Sequence, residues 1–245
     1  MDSGEVAVRS LAPGDLDWVV DLVARRGAER ESFAPRFWRR APDARRVHAR
    51  YLGSLIDDPA VSAMRTEHTF AFGLRRPGFL LIDDAGAEPA HRWAVEGAAL
   101  LRRLAGASRV RLVCPVPEPQ RTALAVDLGL TCAETWWHRD LAERSSDVPI
   151  GEPLRTRGAI GRLVPAPPVY APGGPVLLVT EFRERRALAE MEREAASRGA
   201  AVIVVAQAPG DGRREELLSA IGYRRTCDFF AGQIDGTAPV ALPKS

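Results

Sequence analysis

The sequence predicts an α/β fold of the α+β kind, a mixed sheet with helices on both faces, duplicated in part in the C-terminal half. Three observations carry this. Strand-like and helix-like periodicities follow one another in the order strand, two helices, three strands, helix, strand, helix, strand. The run Ala201 to Ala206 is apolar throughout, as a central parallel strand covered on both faces requires. Finally, the late elements fall on earlier ones when the chain is slid back by about 93 positions.

The elements are justified in turn. Val6 to Leu11 alternates apolar and polar residues as a short strand, and Pro13-Gly14-Asp15 marks a turn into a helix with the stripe Leu16, Val19, Val20 and Val23. Pro42 to Ile56 reads as a second helix, with Val47, Tyr51, Leu52 and Leu55 at helical spacing before Asp57-Asp58-Pro59 stops it. Ser62 to Glu67, Thr69 to Leu74 and Phe79 to Ile82 form an antiparallel meander, after which Asp83-Asp84-Ala85-Gly86 reads as a turn. Pro89 to Leu104 is helical, with Gly106 as its stop. Val110 to Cys114 is a strand, Gln120 to Leu128 a helix ended by Gly129, and Glu134 to Leu141 a strand.

Ala142 to Gly174 is rich in Pro, Gly and Arg and reads as a linker with one strand around Ala159 to Val164. Val176 to Thr180 is then a strand, Arg185 to Ser197 a helix ended by Gly199, Ala201 to Ala206 a strand, Arg213 to Ile221 a helix, and Arg224 to Ile234 a strand. In the self-match Arg92 falls on Arg185, Gly106 on Gly199, Arg121 on Arg214, Leu124 on Leu217 and Gly129 on Gly222, while Trp136-Trp137 falls on Phe229-Phe230. The expected organisation is a unit over 1–145, a linker over 146–174, and a partial repeat over 175–245 packed on the first unit. Shared periodicity between any two helix-strand-helix-strand stretches is the competing explanation.

Composition narrows the function classes. A chain of 245 residues with 46% hydrophobic content can bury a sizeable core, and a formal net charge of +2 provides no strong field toward nucleic acid or an anionic membrane. The start lacks the pattern of a signal peptide, and no apolar run spans a bilayer. Cys114, Cys132 and Cys227 form no CxxC pair, which fits a reducing, cytoplasmic compartment. His48, His68, His91 and His138 lack metal-ligand spacing, so no metal is expected.

The closing segments Leu124 through Gly129-Leu130 to Trp136-Trp137, and Leu217 through Gly222-Tyr223 to Phe229-Phe230, together with the element order, resemble the GNAT (GCN5-related N-acetyltransferase) superfamily in a divergent tandem form. The resemblance implies an acyl-CoA-dependent N-acyltransferase, with acetyl-CoA or another acyl-CoA as co-substrate and a small-molecule or peptide amine as acceptor; a homodimer is compatible with it. In that family a glycine-rich loop opens the central helix and holds the pyrophosphate. Here the loop falls near Gly86 to His91 and again near Val179 to Glu184, and neither stretch carries the glycine pattern. Arg92 in the first copy and Arg183, Arg185 and Arg186 in the second are the candidate phosphate ligands, with Val113 and Val205 on the parting central strands. Ala125 and Leu218 stand where the family carries a tyrosine acid, and Glu118 and Asp211 where it carries asparagine. The candidate bases are Glu134, Glu67 and Asp84, with Asp83 beside them.

Two further readings stay open. One is a catalytically degenerate scaffold that binds a ligand or a protein, favoured by both missing loops and both missing tyrosines. The other is nucleic-acid binding through Arg36, Arg39, Arg40, Arg45, Arg46 and Arg50, which the balanced charge argues against.

Overall fold

The computed structural model of the chain describes residues 6–141, 150, 151 and 153–234. In chain order the elements are β1 (Arg9–Ser10), α1 (Leu16–Phe33), α2 (Ala44–Ile56), β2 (Val61–Arg65), β3 (Thr69–Arg76), β4 (Phe79–Ala87), α3 (Glu96–Ala105), β5 (Arg109–Pro115), α4 (Pro119–Asp127) and β6 (Thr131–Asp140). There follow β7 (Pro153–Thr156), β8 (Ala159–Val164), β9 (Val176–Phe182), α5 (Arg185–Ser197), β10 (Val202–Gln207), α6 (Gly212–Ala220) and β11 (Arg224–Gln233). A short 3-10 turn at Ala90–Ala94 leads into α3. Among the described residues no helix is long and apolar enough to cross a membrane.

The chain divides into two compact units that do not follow sequence order. The first comprises Met1–Arg26, His48–Ala133 and Asp228–Ser245, and the second Gly27–Val47 and Glu134–Cys227. The sheet of the first unit runs β1, β2, β3, β4, β5, then the last part of β11 and the first of β6. Its meander is antiparallel through β4, and β4 pairs β5 in parallel. One face carries Val19, Val20 and Leu22 of α1 and Leu52 and Leu55 of α2 against Phe70 and Phe72. The other carries Leu100, Leu101 and Leu104 of α3 and Leu124 of α4 against Leu80, Ile82, Leu112 and the late residues Phe230 and Ile234. Apolar residues at helical spacing meet apolar residues at strand spacing, and this burial is what fixes both periods.

In the second unit the order is the first part of β11, then β6, β10, β9, β8 and β7, with β10 antiparallel to β6 and parallel to β9. Leu188 and Met191 of α5 and Leu218 of α6 bury Leu177, Val179, Ile203 and Val205 on one face. On the other face Phe37, from the early segment, packs on Ala201, Val202, Val204 and Trp136. That segment supplies the cover which two missing helices would otherwise leave open.

The repeat appears in the element bounds. α6 and β11 coincide residue for residue with α4 and β6 after a shift of 93. The parallel strands match as well, Ile82 with Leu112 in one pair and Val179 with Val205 in the other, although β9 falls on β4 only at an offset of 97. The loop into the helix is therefore four residues shorter in the second copy. Within the stretch expected as a linker, β8 covers Ala159–Val164, and β7 pairs with it through a turn at Gly158, where φ is +98°. β7 and β8 precede β9 as β2 and β3 precede β4, so the second copy lacks fewer strands than its composition suggests. The Asp83-Asp84 pair also differs from expectation: it is no turn but a β-bulge inside β4, two residues opposite Phe72 alone. β9 bulges at the matching place, with Thr180 extra between Val179 and Glu181.

Candidate functional site

Each copy holds a pair of parallel strands that pair briefly and then part. In the first unit β4 and β5 are bonded only from Leu80 to Ile82 and from Val110 to Leu112. Beyond that point the carbonyl oxygens of Asp83 and Ala85 accept from Arg121 of α4, at 3.1 and 3.2 Å. Arg121 is fully buried, lies 5.4 Å over Trp93, and is 3.7 Å from Glu118. The protein's own side chain thus occupies the gap between these strands.

The start of α3 is likewise satisfied from within. Glu96, its first residue, accepts from Thr66 Oγ1 at 2.5 Å and from the His68 backbone N–H at 2.9 Å, and its Oε1 lies 2.9 Å from His68 Nδ1. Arg92 Nη1 lies 3.4 Å from the same carboxylate. Burial pushes the Glu96 pKa up, but hydrogen bonds from Thr66 and His68 outweigh it and leave the group below the ordinary glutamate value. A helix start that would suit a foreign anion therefore already holds an internal one.

The second unit differs at the same place. A cavity of about 440 Å³ is lined by Arg155, Thr156, Gly158, Ala159, Ile160, Thr180, Glu181, Phe182, Arg183 and Arg214. It lies at the bulge of β9, next to the turn of the β7–β8 hairpin, where the Arg183 N–H donates to the Gly158 carbonyl at 2.9 Å. Arg214, the counterpart of Arg121, stacks 4.2 Å over Phe182 and donates to its carbonyl at 2.7 Å, yet it is only partly buried and borders the cavity. Thr156 Oγ1 is buried there without a hydrogen-bond partner among the described residues. Three arginines, two threonines and one glutamate, Glu181, thus line one recess. Such a donor set fits a phosphorylated ligand whose far end carries a cationic or protic group.

The candidates from the sequence are distributed as follows. Arg183 lines the cavity, whereas Arg185 and Arg186 are exposed on the first turn of α5 and are not among its lining residues. Val205 is the last β10 residue paired with β9, and its side chain is part of the core; Val113 is buried just past the last paired residue of β5. Glu134 accepts from Trp136 Nε1 at 2.5 Å and shares a sheet face with it, opposite the face of α5 and α6. Glu67 has an 84% exposed side chain. Asp84, at the β4 bulge, lies 3.1 Å from His48 Nε2. The three carboxylates are therefore engaged separately: Glu67 and Asp84 fall in the first unit and Glu134 in the second. Sequence reasoning passed over Glu181, Arg155 and Arg214 as ligand-facing groups. The signal for Glu181 was the loop four residues shorter, which places it on Asp84; that for Arg214 was its match to Arg121.

No family model matches the sequence, and no curated protein matches it significantly. Among solved structures, the chain is similar to a candidate acetyltransferase from Thermoplasma acidophilum, with a TM-score of 0.58 and 12% identity over 93% of this chain and 100% of that one. It is similar to a candidate acetyltransferase from Pyrococcus horikoshii, with a TM-score of 0.54 and 10% identity over 98% and 93% of the two chains. A GCN5-related N-acetyltransferase from Sphaerobacter thermophilus gives a TM-score of 0.53 and 11% identity over 99% and 100%.

Proposed function

We propose that this chain, which has the fold of the GCN5-related N-acetyltransferases, is an acyl-CoA-dependent N-acyltransferase whose acyl-CoA site lies in the second unit. The observation that carries the reading is the contrast between the copies. At the start of α3 in the first, Glu96 supplies the anion; in the second, a recess lined by Arg155, Arg183 and Arg214 lies at the bulge of β9, just before α5. Arginines meet phosphate oxygens through paired N–H donors, so charge and shape compensate for the absent glycine loop. Glu181, at the bulge where the strands part, is the group placed to hold an acceptor amine and take its proton. The amine nitrogen then bonds to the thioester carbonyl carbon, the C–S bond breaks, and the thiolate departs. The acceptor is a small-molecule or peptide amine.

Isothermal titration with acetyl-CoA tests the binding part, and thiol release in the presence of polyamines and peptides tests the transfer. Arg183→Ala and Arg214→Ala are each expected to weaken binding by about tenfold or more, as loss of a charge-assisted hydrogen bond does. Glu181→Gln is expected to lower turnover and spare binding. Absence of binding by the wild type at millimolar acetyl-CoA would sink the proposal.

A second reading is favoured by one specific feature. Leu218 and Ala125 are fully buried at the positions where a thiolate acid would stand. The nearby phenol of Tyr223 is spent on Glu192 at 2.8 Å, and burial raises its pKa far above the ordinary value. A scaffold that binds the same ligand without transfer fits this, and titration without thiol release identifies it.

A further inference from the structure

Gln207 ends β10 and is only 6% exposed, yet among the described residues neither its side-chain oxygen nor its side-chain nitrogen has a hydrogen-bond partner. A buried carboxamide left in this state is unfavourable, and native structures rarely keep one without a reason. The residue directly across on β6 provides no relief. Thr135 pairs with Gln207 through the backbone, but its Oγ1 accepts from Trp137 Nε1 at 3.2 Å.

The fold itself does not demand an amide here. At the matching position of the first copy stands Cys114, fully buried, whose thiol has the Arg121 carbonyl within 3.8 Å. A small, weakly polar side chain therefore suffices at the end of this strand. The position of Gln207 is informative in two ways. Strand alternation places its side chain on the face of Ile203 and Val205, which α5 and α6 cover. β9 and β10 stop pairing at Val179 and Val205, so Gln207 stands two residues into the gap, as Glu181 does on the other strand.

We infer that Gln207 reads an amide of the ligand that enters this gap. A carboxamide presents a donor and an acceptor side by side, and the complement of that pair is another amide, not a hydrocarbon chain or a phosphate. The inference rests on the acyl-CoA reading of the second unit, where the pantetheine arm carries two secondary amides; one of them bonds Gln207 and fixes the depth to which the arm inserts.

The test compares Gln207→Met, which keeps the length and removes both hydrogen-bonding atoms, with Gln207→Leu as a second variant. Each is titrated with acetyl-CoA and with the phosphorylated adenosine diphosphate that remains when the pantetheine arm is left off. The expected result is about tenfold or greater weakening toward acetyl-CoA, unchanged affinity for the fragment, and a melting temperature without ligand at or above that of the wild type. Wild-type affinity for acetyl-CoA in both variants would overturn the role of Gln207 alone. Equal losses toward acetyl-CoA and fragment would overturn it too, because the residue would then be supporting the unit and not reading the arm. Failure of the wild type to bind acetyl-CoA would remove the parent reading and this inference together.

Discussion

At the scale of single residues, the chemistry of Glu96 leads to a pH-dependent expectation. Its pKa is lower in the folded chain than the ordinary value, so it adds stability above that value and loses it as pH falls through the folded one. Glu96→Gln is expected to cost about 1–3 kcal/mol near neutral pH, since Thr66 and His68 lose a charged acceptor. The difference between wild type and variant should shrink as pH drops below the ordinary glutamate range, which urea melts at several pH values measure. This role was hidden in the sequence. Glu96 looks like any acidic residue in a first helical turn, and the groups that hold it are 28 and 30 positions away. Glu181 was hidden differently: a single alignment shift of 93 places it on Glu88, and only the strand register moves it onto Asp84. Arg183 was legible because it lies two residues before the α5 start, where a phosphate site is sought.

At the scale of elements, close packing explains several glycines that carry no turn. A Cβ on Gly97 would lie 2.5 Å from the Trp93 ring and 3.0 Å from Leu124. Gly97→Ala is therefore expected to destabilise by about 1–3 kcal/mol despite the better helix propensity of alanine, read as a lower midpoint in chemical unfolding. Gly86 is similar. Following two aspartates it reads as a turn residue, but the strand continues there and Leu22 would lie 2.6 Å from an added Cβ. The sequence carries the local turn signal but not the helix packed against the strand, which is why the bulge was missed. Strands and helices with long apolar periods were legible to within a few residues, α5, α6 and β11 among them. β7 was not, because a four-residue strand with Pro at its first position and Arg within it has neither the length nor the pattern to be read.

At the scale of the whole molecule, the pattern of apolar residues revealed the repeat but not the way the chain is shared out. Periodicity reports which residues are buried, and it is silent on which distant segment buries them. The early segment around Phe37 belongs to the second unit, and Phe230 and Ile234 belong to the core of the first. A fragment ending at residue 174 therefore lacks part of the first unit's core as well as nearly half of the second unit. It is expected to show no cooperative thermal transition, followed by circular dichroism, although a boundary read from composition would have it fold alone.

The division of β11 between the two units bears on how the protein emerges from the ribosome. All residues of the second unit have been synthesised once Cys227 is added, whereas the first unit still awaits Phe230 and Ile234. Domains ordinarily settle from the N-terminus onward as they appear. Here the nascent chain must keep the first unit's helices and strands provisional until Phe230 and Ile234 have been added, so a translation product that stops short of them would expose the sheet face these side chains seal.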